Sequence, residues 1–252
     1  IATSTDGLTW TARESGTLLP INDVKFGNGK FVAVGFSELV LTSTDGITWA
    51  DVSGKKHFYY FYKMNKVGNC VFAIAYVNVP SLYVSTDDGA TWRDLTYQLG
   101  GTIFETQYLP TYQNGQYIFT NSAFGVFTSA DGLTWQNVSL QSMAGNIVWT
   151  GTVYVLTEPD LVSYKTGAYT SPDLVTWTLR AYNNPGGDNY GCVWNGSVFI
   201  APSTTVVQWR RSTDGINWTS FTGVSATFGY LSSANGRFFL GGGASTTAYS
   251  ST

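Results

Sequence analysis

A phrase of seven or eight residues recurs six times along the chain, and it constrains the fold more than any other feature. It reads STDGLTW at 4–10, STDGITW at 43–49, STDDGATW at 85–92, SADGLTW at 129–135, SPDLVTW at 171–177 and STDGINW at 212–218. The closing tryptophans, Trp10, Trp49, Trp92, Trp135, Trp177 and Trp218, lie 39, 43, 43, 42 and 41 residues apart. A period of that length marks an array of supersecondary units.

A second series falls between the phrases: FGNGKFVAV at 26–34, VGNCVFAI at 67–74, YQNGQYIF at 112–119, VWTGTVYV at 148–155, VWNGSVFI at 193–200 and SANGRFFL at 233–240. Each is an Asn-Gly-like two-residue turn between alternating apolar runs, a strong short-range hairpin signal. One period therefore reads as strand, tight turn, strand, variable loop, strand, aspartate turn, and a fourth strand that begins at the tryptophan. Aromatic residues at 16% and 28 glycines suit strands and turns, so the fold class is all-β.

A lone four-stranded antiparallel blade exposes two faces, whereas blades arranged radially cover one another. The expected architecture is a six-bladed β-propeller forming one domain over residues 1–252. The chain opens with a fourth strand and ends with strands one to three, so the N-terminal strand is expected to complete the last blade and close the ring. Ile1–Ser4 also reads as the end of a third strand and competes with TTAYSST for that place. A seven-bladed ring or a solenoid completed by further sequence stays open, and the Ile1 start suggests a processed or partial chain, part of a larger polypeptide or assembly.

Within the phrase, Asp and the hydroxyls can bond the backbone of their own turn, Gly takes positive φ, and Trp buries a large area. Asp6, Asp45, Asp87, Asp131, Asp173 and Asp214, each with its tryptophan, are folding devices on this reading. The pattern resembles the Asp-box (BNR) repeat family, whose S-x-D-x-G-x-T-W form is met in full by Ser85, Asp87, Gly89, Thr91 and Trp92. The other copies are one residue shorter, and Ser171–Trp177 has lost its Gly. The resemblance spans the chain and implies a structural role for the boxes, on the face away from the ligand site.

Composition excludes several functions. A net charge of −3 with 13 Lys and Arg, scattered singly or in pairs, gives no field for a phosphate backbone, so nucleic acid is not expected as a partner. No apolar run is long enough for membrane insertion. One His and two Cys offer no zinc cluster, no metal or cofactor is expected, and Cys70 and Cys192, placed three blades apart, are expected as thiols. The family resemblance brings sialidases to mind, but the six arginines do not assemble into their converging triad and the Arg-Ile-Pro signature is absent.

The 2–3 and 4–1 loops vary in length and pair aromatic rings with amides and carboxylates, as a sugar-binding or protein-binding surface requires. Tyr60, Tyr164, Tyr182, Asn183, Asp188 and Tyr190 are the candidate ligand residues. The expected function is a non-enzymatic recognition or adhesion module, extracellular or on a virion, that binds glycan or protein as phage and bacterial surface proteins of this repeat class do. One alternative is a glycoside hydrolase acting through Glu105, Glu158, Asp160 or Asp188, with His57 as the one possible imidazole base. The other is an assembly scaffold. Loop carboxylates are solvated in most proteins, and loop aromatics can equally pack locally.

Overall fold

The computed structural model describes residues 1–54, 60–76, 79–101, 108–121, 123–140, 145–159, 166–181, 192–201, 208–223, 230–241 and 249–250. The chain forms two compact units, Ile1–Ser142 and Met143–Thr252. In the first, β1 (Ala2–Thr3) pairs with β2 (Thr11–Ala12), followed by a sheet of β3 (Ile21–Gly27), β4 (Lys30–Gly35), β5 (Val40–Ser43) and β6 (Ala50–Asp51). The next sheet holds β7 (Tyr60–Val67), β8 (Cys70–Tyr76), β9 (Pro80–Ser85) and β10 (Arg93–Asp94). After it come β11 (Thr111–Gln113), β12 (Gln116–Asn121), β13 (Gly125–Ser129) and β14 (Gln136–Ser139).

The second unit repeats the plan. One sheet contains β15 (Asn146–Trp149), β16 (Tyr154–Pro159), β17 (Thr166–Ser171) and β18 (Thr178–Ala181), and the next β19 (Val193–Trp194), β20 (Phe199–Ala201), β21 (Gln208–Ser212) and β22 (Thr219–Thr222). The last holds three strands among the described residues: β23 (Tyr230–Ala234), β24 (Arg237–Gly241) and β25 (Tyr249–Ser250). All ladders are antiparallel between consecutive strands, as the two-series period predicts.

The sheet β7–β10 is covered on both sides, as β8 shows. Val71, Ala73 and Ala75 point to one face and pack with Val32, Val34 and Val40 of the preceding sheet. Cys70, Phe72 and Ile74 point to the other and pack with Tyr117, Phe119, Phe127 and Trp135 of the following one. The period-2 alternation of a strand is thus apolar in both phases, and CVFAIAY reads as a continuous hydrophobic run. The Asn-Gly turns add polar links: Asn28 Nδ2 donates to Gly68 O at 2.6 Å, and in the second unit Asn195 Nδ2 donates to Gly236 O at 2.7 Å.

The recurring phrases fold into one kind of turn. Oδ1 of Asp45 accepts the N–H groups of Ile47 and Thr48, both at 2.8 Å, and Ser43 Oγ donates to the same oxygen at 2.9 Å while accepting Gly46 N–H at 2.8 Å. Asp6, Asp131, Asp173 and Asp214 repeat these bonds. The indole N–H then donates to the carbonyl at the Gly position, at 3.0 Å in both Trp135 and Trp218. Where that Gly is lost, Leu174 still takes φ 68° and is 1% exposed. Left-handed backbone costs a branched residue roughly 1–2 kcal/mol, and burying a Leu returns about 1.5–3 kcal/mol, so the turn survives.

The third phrase is longer by Asp88, and the insertion changes its bonding. Asp87 accepts Thr91 N at 2.8 Å and Thr91 Oγ1 at 2.6 Å, while the Trp92 indole nitrogen is buried with no hydrogen-bond partner. Asp88 instead pairs with Lys30, at 2.8 Å, and with Lys66, whose side chain is 3% exposed. Burial pushes the Asp88 carboxyl up, and the bonds from the two lysines outweigh it and bring it below the usual range.

At the N-terminus, β1 and β2 form a hairpin of their own. Arg13 N donates to Ile1 O at 2.8 Å, and Arg13 Nε to Thr3 Oγ1 at 2.9 Å, the same cross-strand bond that Arg180 makes to Thr170 at 3.0 Å between β17 and β18. The hairpin therefore has the geometry of third and fourth strands. The fourth strand expected to complete the last sheet pairs here with Ala2–Thr3, while β25 holds the third place beside β24. Cys70 and Cys192 are buried thiols.

Two predictions follow from the turns. Backbone N–H bonds from Thr9 and then Leu8 hold the Asp6 carboxyl at about 2, and at Asp214 burial raises the group while bonds from Asn217 and Ile216 bring it down to about 2. Carboxylates depressed below the ordinary value of 3.8 stabilise the fold above that pH and lose the contribution as pH falls toward 2. The melting temperature should drop across that window, and less steeply in Asp214→Asn; a flat profile would contradict the turn chemistry. Asp88→Asn should destabilise by about 2 kcal/mol in urea unfolding, below the full loss for a buried pair because Asp88 is partly exposed. Adding Lys66→Met should recover most of it.

Candidate ligand-binding face

In an antiparallel four-stranded sheet the 1–2 and 3–4 turns lie at one end, and the 2–3 and 4–1 connections at the other. The second end of the sheets β3–β6 and β7–β10, both in the first unit, carries a cluster of aromatic rings. Tyr60 opens β7 and pairs directly with Tyr76 at the end of β8, their rings stacked at 6.0 Å and 29°. Phe36, in the connection from β4 to β5, lies on Tyr60 at 5.3 Å and 14°. Phe36 is 44% and Tyr76 41% exposed, and Tyr62 and Val79 at the same end are 55% and 54% exposed. Apolar rings partly open to water in a stacked order form a flat apolar platform, a shape that can stack against a flat ligand.

The turn that presents Phe36 is strained. Ser37 and Glu38 both have left-handed backbone, φ 53° and 55°, at a cost on the order of 1–2 kcal/mol each. Three groups hold it in place: Phe36 N donates to Pro20 O at 3.0 Å, Gly35 N to Leu39 O at 3.0 Å, and the Leu39 side chain is buried. A methyl group at Gly35 would overlap the Pro20 carbonyl oxygen, so only glycine lets the two segments approach.

Charges sit close by on the first strands. Asp23 Oδ1 accepts Lys25 Nζ at 2.6 Å. Burial is the main force lowering Lys63, with Asp23 opposing it and Lys25 adding to it. Among the described residues no group of three His, Cys, Asp or Glu could hold a metal ion.

Of the residues expected from sequence, Tyr60 lies at the centre of this platform. Tyr164, Tyr182, Asn183, Asp188 and Tyr190 lie outside the described residues, as do Glu105, Asp160 and His57; Glu158 falls within β16. Sequence reasoning missed Phe36, Tyr62 and Tyr76 as individual residues. A signal existed: Phe36 and Tyr76 stand at the same offset, eight residues past the first residue of the Asn28-Gly29 and Gly68-Asn69 turns.

No protein-family model and no curated protein matches the sequence. Solved structures do. Virginiamycin B lyase from Staphylococcus aureus superposes with a TM-score of 0.63 at 10% identity, over 91% of this chain and 80% of that one. An ancestral GH74 enzyme gives 0.62 at 15% identity, over 91% of this chain and 36% of that one. YCF48 bound to D1 peptide gives 0.55 at 16% identity, over 89% and 76%. These are β-propeller proteins, and the fold of this chain is a β-propeller.

Gly35→Ala should displace the Phe36 turn while leaving the sheets intact, at a cost of about 1–3 kcal/mol. Loss of the ring-current shifts on the Tyr60 ring protons would report it; an unchanged Tyr60 spectrum would show that the turn does not depend on that close approach.

Proposed function

We propose that this propeller is a non-enzymatic recognition module that binds glycan or protein through its loop face, displayed outside a cell or on a virion. The observation that carries the reading is the stack of Phe36, Tyr60 and Tyr76, half-exposed at Phe36 and Tyr76, with Phe36 presented by a strained turn. Strain maintained by surrounding bonds at an exposed apolar site is more common at ligand clamps than in plain scaffolding. The platform residues Phe36, Tyr60, Tyr62, Tyr76 and Val79 carry no nucleophile-base pair, which favours binding over turnover. YCF48, solved with a D1 peptide, keeps a peptide within the classes of ligand to be tested.

The same proposal takes the aspartate phrases as Asp boxes and the architecture as six blades closed into a ring. The face of the N-terminal hairpin is uncovered: Trp10 is 63% exposed where Trp135 is 7%. A cleft of about 630 Å³ lies beside it, lined by Thr3, Thr11, Arg13, Phe26, Phe31 and Trp49.

A glycan array run beside a reducing-sugar assay tests the function. Retention without hydrolysis, abolished in Phe36→Ala/Tyr60→Ala, is expected. Turnover of a retained glycan would replace the binding reading with a hydrolase, and absence of both would favour a scaffold.

A further inference from the structure

The first strands of two sheets depart from regular pairing at the same place. In β3, Ile21 pairs with Gly35 and Asp23 with Val34, which leaves Asn22 unopposed. In β7, Phe61 pairs with Ala75 and Lys63 with Ile74, which leaves Tyr62 unopposed. The first strands of the other sheets show no such shift in their described ladders. A bulge gives up a ladder position and re-aims a side chain, and these two occur in the two sheets that carry the aromatic platform.

The bulge at Tyr62 is fixed from both sides by adjacent residues of β3. Asn22 Nδ2 donates to the carbonyl of Phe61 at 2.6 Å, and Met64 N donates to Asp23 Oδ2 at 3.0 Å. Asp23 is itself steadied, its Oδ1 accepting Val24 N at 2.8 Å and Lys25 Nζ at 2.6 Å. Phe61 and Met64 are buried, Phe61 against Trp92 at 4.6 Å. Tyr62 therefore stands on backbone anchored on each flank, yet the residue is 55% exposed. An aromatic side chain whose backbone is ordered before binding meets a ligand at low entropic cost.

We propose that Tyr62 is a ligand-contacting ring that extends the platform of Phe36, Tyr60 and Tyr76, that Asn22 and Asp23 are its positioning residues, and that the ligand is a neutral glycan. This rests on the recognition reading above. The platform members, Phe36, Tyr60, Tyr62, Tyr76 and Val79, carry no formal charge and three phenol hydroxyls. Apolar faces bordered by hydroxyls match the C–H faces and hydroxyl edges of a pyranose. A protein partner is served better by a pocket that buries an anchor than by an open platform.

The test uses the full chain on immobilised neutral gluco-, galacto-, manno- and xylo-oligosaccharides, with a displayed peptide library in parallel. Tyr62→Ala should weaken retention about tenfold, Asn22→Ala several-fold, and Ile47→Ala, in an aspartate turn at the far end, not at all. Unchanged retention in Tyr62→Ala with loss in Phe36→Ala would overturn the role of Tyr62 and leave the recognition reading standing. Capture of peptides with no oligosaccharide retained would overturn the glycan assignment, and capture of neither would remove the recognition reading itself. Ring ¹³C relaxation of Tyr62 gives a readout without ligand: ordered in the wild type, mobile in Asn22→Ala and in Asn22→Asp, which sets an acceptor against the Phe61 carbonyl. Equal mobility in all three would overturn the positioning role.

Discussion

The structure depends on covering sheets that are apolar on both faces. The strand Cys70–Tyr76 has no polar side to turn to water, so its sheet needs a neighbour before and a neighbour after it. Radial repetition meets that need with short edges and no central layer of helices. The hairpin β1–β2 shows the same rule from the other side: with no inner strands of its own, it leaves Trp10 and Leu8 open to water.

Much of this was legible in the sequence because the devices are local. An Asn-Gly pair sets its own turn, and Asn28, Asn114 and Asn235 all take the left-handed backbone expected of them. A carboxylate two and three residues before its N–H donors closes the aspartate turn without help from the rest of the chain. What the local signals could not give was the pairing at the N-terminus, since Ile1–Ser4 and Tyr249–Ser250 both suit a third strand. Nor did the pattern show that the extra residue of the third phrase, Asp88, serves two lysines from separate strands.

The candidate site was legible only in outline. Loop length and aromatic content pointed to the end of the sheets that carries the stacked rings, and Tyr60 is one of those rings. Phe36 was hidden because its importance comes from a three-dimensional coincidence: a glycine pressed on Pro20, two left-handed residues after it, and a ring delivered onto the next sheet. The bulges at Asn22 and Tyr62 are likewise invisible to a period-2 reading, which has no means of seeing one unopposed residue.

On the proposed reading the two ends of the sheets divide the work, the aspartate turns fixing the fold and the aromatic end facing a partner. Titrating the protein with a retained oligosaccharide, while following the rings of Phe36, Tyr60 and Tyr76 and the tryptophan indole N–H groups together, tests that division most directly. The account predicts saturable shifts on the platform rings and none on the indoles of Trp49, Trp135 or Trp218. Shifts confined to the indoles would place the partner at the opposite end and contradict it.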